Sequence, residues 1–281
     1  MRKLLLFFLL LPLAGCLEVE QRFTINPDGS GKVTVESFVT DWSLDAHDRD
    51  IKKKLRESAR EMIDSTRGVE VWRDVRYSLE KGRFHFKGTA YFRDLSQLEG
   101  KSLGLARLQM SSLADGTRRI TLAVESKASF SSTSSSTNSE ATGSALSIDE
   151  QIDSMRTVVE MMKGMMGSFL DGLRIRTELS IPGPPAEAPG FTRNRMGNLE
   201  FELTGETILA VMDTLMNDRE LMRAQLNRPP DSSSAVMRQL LFPNGIPTAT
   251  IPVGAAPLFD YAKEVAAARR GHEKLLRDLR K

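Results

Sequence analysis

A single cysteine, Cys16, limits what this 281-residue chain can fold into. Because there is no second thiol, no disulfide can form within the chain, and the folded part must be stabilised by its own apolar core. Hydrophobic residues make up 40% of the sequence, which is enough to fill such a core. At this length we expect one large domain or two small ones.

The first fifteen residues have the three parts of a secretory signal. A short basic start is followed by an unbroken run of leucine and phenylalanine over 4–11 and by a cleavage site at 13–15. A membrane-spanning helix is the alternative, but this run, which Pro12 interrupts, falls well short of the roughly 20 apolar residues that cross a bilayer. We therefore expect residues 1–15 to be a signal peptide that is removed on export.

Leu13-Ala14-Gly15-Cys16 resembles the lipobox of bacterial lipoproteins. The resemblance implies that the signal is cut before Cys16, that its sulfur is diacylated, and that the new amino terminus is usually acylated too. A buried thiol is the alternative, which the position of the chain's only cysteine at the predicted cut disfavours. Two or three acyl chains hold a protein on a membrane, so membrane lipid is the first expected partner. Because Leu17 and not Asp follows, the resemblance favours the outer membrane, facing the periplasm, in a Gram-negative host.

The mature chain is expected to be electrically balanced. Removal of residues 1–15 takes away two of the 39 basic residues and leaves 37 against 37 acidic residues. Nucleic acid needs a clustered basic surface, so we predict no nucleic-acid partner.

Three β-hairpins are predicted from alternating apolar residues around turn sequences. The turns lie at 26–31, at 80–82 and at 114–117, where Asp-Gly is a strong hairpin signal. Their strands are 19–25 with 33–39, 69–79 with 84–92, and 103–110 with 120–124. One apolar and one polar face is typical of an antiparallel sheet covered on one side.

Apolar residues at helical spacing predict two helices that cover this sheet, near 45–66 and 148–170. Ser147 and Glu150 have the spacing of a capping box before the second helix. The later elements are strands over 173–181 and 198–203, a helix from Thr204 that breaks near 217–218 and ends by 229–230, and a short piece at 246–253 that is at most an edge strand.

The predicted fold is therefore α+β, with an antiparallel β-sheet of hairpins covered on one face by amphipathic helices. We expect residues 16–126 and 148–253 to form two parts of one domain and 127–147 to be a Ser/Thr-rich disordered loop. Composition alone leaves open whether that loop separates two domains. Residues 254–281 are predicted to form a basic amphipathic helix.

Two basic segments invite a membrane interpretation. The run at 52–54 is three lysines, which point in three directions on a helix close to Glu57 and Glu61, so a solvated face is favoured. The C-terminal helix over 257–281 could lie on an anionic bilayer or dock on a partner, but packing on its own sheet is favoured.

Candidate metal ligands have simpler explanations. Methionines 155, 161, 162, 165 and 166 could bind Cu(I), but three of them share an apolar stripe, and core filling is favoured. Residues 26–37 match part of a calcium loop, yet Ser37 stands where a bidentate Glu is needed. We predict no metal site.

The histidines give no enzymatic signal. His47, His85 and His272 are scattered, and His85 is expected on the polar side of its hairpin. No Gly-rich phosphate-binding loop is present. We therefore predict no catalytic residue and no cofactor, and the sequence defines no ligand-binding residue.

A first strand that leads into Asp-Gly-Ser-Gly at 28–31, and a later strand that ends in Ile-Pro-Gly at 181–183 before a returning strand, resemble the LppM-type bacterial lipoproteins. The resemblance covers about half of the chain and implies a membrane-tethered α+β module, with lipid-like envelope ligands suggested for some members. The chain lacks the C-terminal transmembrane helix common in that group.

The expected function is that of a non-enzymatic, membrane-tethered envelope lipoprotein that binds a lipid-like ligand or a partner protein. An envelope hydrolase that uses carboxylates on sheet loops is the alternative from a different class.

Cys16→Ser tests the anchor. We expect the variant to lose incorporation of labelled palmitate and to leave the membrane fraction, because no other residue carries the acyl chains. Unchanged incorporation in the variant would show that Cys16 is not the lipidated residue.

Overall fold

The computed structural model describes residues 17–40, 44, 46–100, 106–124, 147–185, 187–226 and 239–281. Cys16 with the signal peptide, the Ser/Thr-rich segment up to residue 146, and the helix end expected at 229–230 lie outside these residues. The predictions made for them stay predictions.

Strands and helices alternate irregularly along the described residues. The strands are β1 (Glu18–Ile25), β2 (Gly31–Val39), β3 (Val69–Glu80), β4 (Arg83–Phe92), β5 (Ala106–Ser112), β6 (Arg118–Val124), β7 (Arg174–Ser180), β8 (Thr192–Arg193), β9 (Leu199–Thr204) and β10 (Thr248–Ile251). The helices are α1 (Ile51–Asp64), α2 (Ile148–Leu170), α3 (Gly205–Asn217), α4 (Arg219–Leu226) and α5 (Tyr261–Leu279), with a 3-10 turn at Leu95–Gln97.

The strands form two sheets. The larger has the order β3-β4-β2-β1-β7-β9-β8, and the smaller has the order β10-β6-β5. The three predicted hairpins are confirmed as the antiparallel pairs β1/β2, β3/β4 and β5/β6. The α+β class is confirmed, and β10 is an edge strand as predicted.

One pairing was not predicted from the sequence. β1 and β7 are parallel neighbours, with Glu18 beside Arg174 and Thr24 beside Ser180. A hairpin has a turn sequence that reveals it, whereas a parallel pair needs a long crossover and has no local signal. The pairs β1/β7 and β6/β10 join parts of the chain from both sides of the Ser/Thr-rich segment.

One face of the larger sheet, here called the inner face, carries the main core. Its buried side chains are Val19, Phe23, Ile25, Val33, Val35, Phe84, Phe86, Ala90, Phe92, Leu179 and Leu199. Ala59 and Ile63 of α1 pack in the same cluster, as do Ile120 and Leu122 of the smaller sheet. The inner face is thus covered by α1, as predicted, and by the smaller sheet, whose covering role was not predicted.

A second apolar cluster extends the core beneath β7 and β9. Ile152 and Leu170 of α2 pack there with Ile175, Leu203 and residues of α3 and α4. The predicted capping box is present, because the Ser147 side chain accepts from the Glu150 amide and Glu150 accepts from the Ser147 amide. α3 ends at Asn217, where the break was predicted.

Helix α5 packs along β3, the edge strand of the larger sheet. Val265 and Ala268 pack on Val71 and Tyr91, which confirms that this helix packs on its own sheet. The backbone amide of Trp72 donates a hydrogen bond of 3.2 Å to Nδ1 of His272. Desolvation lowers the pKa of His272, so the neutral ring that can accept this bond is favoured.

His272→Asn tests this contact, because the amide oxygen can replace Nδ1 as acceptor without titrating. Because the pKa of His272 is lowered in the folded protein, its neutral ring stabilises the fold fully above about pH 6.5. This stabilisation is lost as the pH falls through the lowered pKa. Between about pH 7.5 and about pH 5.5, we expect the free energy of unfolding in urea to fall about 1 kcal/mol more for the wild type than for the variant. Parallel profiles for His272→Asn and the wild type would contradict the assignment.

Candidate functional site

The opposite face of the larger sheet, here called the outer face, carries the candidate site. Side chains alternate between the two faces of a strand, so the residues between the core positions point outward. They are Glu18, Glu20 and Arg22 of β1, Glu36 and Phe38 of β2, Arg83, His85 and Lys87 of β4, Arg174, Arg176 and Glu178 of β7, and Glu200 and Glu202 of β9. Helix α5 reaches this face near Tyr91 on β4.

Strand register places acids beside bases on this face. The parallel pairing of β1 and β7 sets Glu20 beside Arg176, and the antiparallel pairing of β7 and β9 sets Arg176 beside Glu202. The guanidinium of Arg176 binds both oxygens of Glu200, at 2.7 and 3.0 Å, and approaches Glu20 at 3.6 Å. Opposite charges on neighbouring strands stabilise a sheet by about 0.2–1 kcal/mol a pair, so this face is internally compensated.

Like charges also lie opposite each other at places on this face. Glu20 of β1 lies directly opposite Glu36 of β2. Arg22 contacts Glu20 at 2.9 Å, and Lys87 contacts Glu36 at 2.7 Å, which compensates each carboxylate from its own side. The hydrogen bond from Lys87 holds the pKa of Glu36 below its usual value, and His85 adds to the effect.

An aromatic group lies among these charges. The Phe38 ring is half-buried and stacks on the His85 ring, with centroids 4.3 Å apart and planes 4° from parallel. The guanidinium of Arg83 lies 5.0 Å from the centroid of the Phe38 ring and contacts Glu18 at 2.9 Å. Phe38 is thus held in place by an imidazole and a guanidinium.

His85 connects two carboxylates. Its Nε2 lies 3.1 Å from Glu36 and its Nδ1 lies 2.8 Å from Glu80. A protonated imidazole can donate to both at once, whereas a neutral ring donates to one only. The sequence predicted correctly that His85 faces the polar side, but it did not reveal these partners, which lie on other strands.

A small depression lies beside Phe38. It has a volume of about 110 Å³ and is lined by Glu18, Val19, Glu20, Glu36, Phe38, Arg174 and Arg176. Small-molecule sites usually enclose about 300–1,000 Å³. The shallow, charged depression therefore suits a side chain of a partner protein better than a whole small ligand.

A second, larger cleft lies where the β1–β2 turn meets the start of α5. It measures about 890 Å³ and is lined by Asn26, Asp28, Ser30, Arg93, Asp94, Gln97, Phe259, Asp260 and Tyr261, among others. Two of its carboxylates accept hydrogen bonds from nearby backbone amides. Asp28 accepts from the amide of Ser30, and Asp260 accepts from the amide of Lys263. Asn26 binds the backbone of residues 258–259, so we interpret the cleft as a structural junction.

Neighbouring groups shift the pKa of several described carboxyl groups. Each one whose pKa departs from the usual value has it lowered, whereas a general acid near neutral pH needs a raised pKa. Within the described ranges, no group of three or more His, Cys, Asp or Glu residues is placed to hold a metal. The structure does not describe the side chains of Met155, Met162, Met165 and Met166. The side chain of Met161 is 68% exposed.

The fold begins very close to the predicted lipidation site. The carbonyl of Leu17 accepts a hydrogen bond of 2.9 Å from the amide of Arg174, and β1 begins at the next residue. Cys16 itself lies outside the described residues. No helix in the described part of the chain combines the length and the apolarity that a bilayer-spanning segment requires.

No protein-family model matches the chain, and no curated protein matches it either. Among solved structures, the NMR structure of the folded domain of LppM from Mycobacterium tuberculosis aligns with 9% sequence identity and a TM-score of 0.32. The alignment covers 68% of this chain and 84% of that domain. It is a weak structural neighbour.

Glu36→Gln tests the charge network around Phe38. Because the pKa of Glu36 is lowered in the folded protein, its ionised form stabilises the fold above about pH 4.5. This contribution is lost as the pH falls through the lowered pKa. At about pH 7 we expect the variant to lose about 1 kcal/mol in the free energy of unfolding, measured in urea. The difference should shrink below about pH 4.5, and exposed Glu57→Gln is the matched control. Equal stability of wild type and Glu36→Gln at neutral pH would show that the network contributes nothing.

Proposed function

We propose that the chain is a bacterial envelope lipoprotein, anchored through acylated Cys16, that binds a partner protein at the membrane surface without catalysing a reaction. The outer membrane, facing the periplasm, is the location proposed for a Gram-negative host. The observation that carries the proposal is the position of Phe38. It pairs with Glu18, the first residue of β1, and so lies at the end of the sheet nearest to Cys16 in the sequence.

The anchor and the Phe38 site would lie close together. Leu17 alone separates Cys16 from β1, and one residue spans at most about 3.6 Å. A site beside Glu18 is therefore held near the lipid headgroups, where a membrane-bound partner protein is within reach.

The chemistry of the outer face suits a protein partner. Binding energy at protein interfaces concentrates in a few aromatic and arginine side chains surrounded by polar groups. Phe38 and Arg83 form such a group. Arg174 lies across β1 from Phe38, and its side chain is 58% exposed. The charges around them are already paired, which limits the desolvation that binding would require.

A lipid-like ligand between helix and sheet is less well supported. Ala59 and Ile63 of α1 are 0% and 6% exposed and share one apolar cluster with Phe84 and Phe86. The contact between α1 and the sheet is therefore part of the apolar core, which does not favour an acyl-chain site there.

Site-specific photo-crosslinking in cells tests the proposal. The photoreactive residue p-benzoylphenylalanine would replace Arg174, and the control would replace Met196, which is 78% exposed in a turn. We expect one protein adduct from position 174, lost when Phe38→Ala is added, because the ring supplies the central contact, and absent from position 196.

Three results would contradict the protein-binding proposal. They are no adduct at position 174, an adduct unaffected by Phe38→Ala, and an adduct that mass spectrometry identifies as a lipid or glycan. Turnover of a glycan, peptide or ester substrate that is lost on changing one outer-face carboxylate would favour the hydrolase alternative instead.

A further inference from the structure

Helix α1 is the crossover between two parallel strands. β2 and β3 both pair antiparallel with β4, so they run in the same direction on its two sides. Val39, at the end of β2, pairs with Phe84, whereas Val69, at the start of β3, pairs with Phe92 at the other end of β4. α1 therefore returns the chain along the sheet, and its first turn lies toward the Val39 end.

That end of the sheet is also where the chain enters from the predicted anchor. Glu18 pairs with Phe38, one residue before Val39. The first turn of α1 and residue 17 thus lie toward the same end of the larger sheet.

The first turn of α1 contains three lysines. Lys52 and Lys53 are exposed and make no hydrogen bond or ion pair within the described part of the chain, whereas Lys54 contacts Asp48 at 2.7 Å. The turn contains no acidic residue, and Asp50 does not cap the helix with its side chain. The amino-terminal end of a helix is positive, so lysines there are unfavourable unless an anion binds them.

We propose that Lys52 and Lys53 bind anionic phospholipid headgroups of the leaflet that holds the acylated Cys16. This deepens the proposed function and rests on its membrane anchor. Stable membrane attachment commonly combines an acyl chain with basic residues. Two lysines near an anionic surface strengthen binding roughly 30-fold together, which orients an anchored domain although it is too little to recruit an unanchored one.

The basic face of α5 provides the natural comparison. Lys263 and Lys274 are exposed, and neither makes an ion pair within the described residues. However, α5 begins next to Asn26, whose side chain binds the backbone of residues 258–259 at the far end of β1. The start of α5, which carries Lys263, lies about eight strand residues, or roughly 26 Å, from the anchor end. Lys274 lies two residues after His272, which binds Trp72 opposite Ala90, toward that same far end of the sheet.

The single cysteine permits a direct test. The mature chain, residues 16–281, contains every described contact and can be made without its signal. Coupling Cys16 to a single-chain tetradecyl maleimide gives marginal membrane binding, so small contributions become measurable. Partition would be measured by sedimentation with vesicles of phosphatidylglycerol and phosphatidylcholine, and with vesicles of phosphatidylcholine alone.

We expect the coupled protein to prefer the anionic vesicles and Lys52→Gln/Lys53→Gln to reduce that partition roughly 30-fold, with no change on phosphatidylcholine. Lys263→Gln/Lys274→Gln should bind as the wild type does. Circular dichroism would verify that each variant is folded, since all four side chains are exposed.

The inference would be overturned if the wild type showed no anionic preference, if Lys52→Gln/Lys53→Gln retained it, or if Lys263→Gln/Lys274→Gln lost it instead. Chemical coupling replaces biological acylation in this assay. Failure here is therefore separate from failure of the lipoprotein proposal, which palmitate labelling decides.

Discussion

The structure depends on the two hydrogen-bonded pairings of β1. This strand joins β2 on one side and β7 on the other, and its inward side chains, including Phe23 and Ile25, are almost completely buried. Without the β7 pairing, the second half of the chain would lose its place in the larger sheet. The strand that begins at residue 18 is thus also the one that brings distant parts of the chain together.

Register at β1 also arranges the charges of the outer face. Because Glu18, Glu20 and Arg22 lie beside Arg174, Arg176 and Glu178, each charge on β1 has an opposite charge on β7. A shift of one residue would place these charges toward the core. The same register that fills the core therefore builds the charged face around Phe38.

The sequence predicts those parts of the fold that have local causes. The turn at 114–117, the Ser147 capping box and the break after Asn217 are all visible in a few consecutive residues. The parallel pairing of β1 with β7 and the packing of the smaller sheet depend on contacts between distant residues, which one sequence does not reveal. The candidate site was missed for the same reason: Phe38, His85 and Glu80 come from three strands, and only the outward direction of His85 was predictable.

The position of β1 has a mechanical consequence. If the domain is pulled away from a lipid attached at residue 16, the load enters at the end of β1 and acts along the strand. It then stretches the hydrogen bonds to β2 and β7 together, in shear, instead of opening them one at a time. A strand at the edge of the sheet would share the same load with one neighbour only, so the central position of β1 makes the attachment more resistant to force.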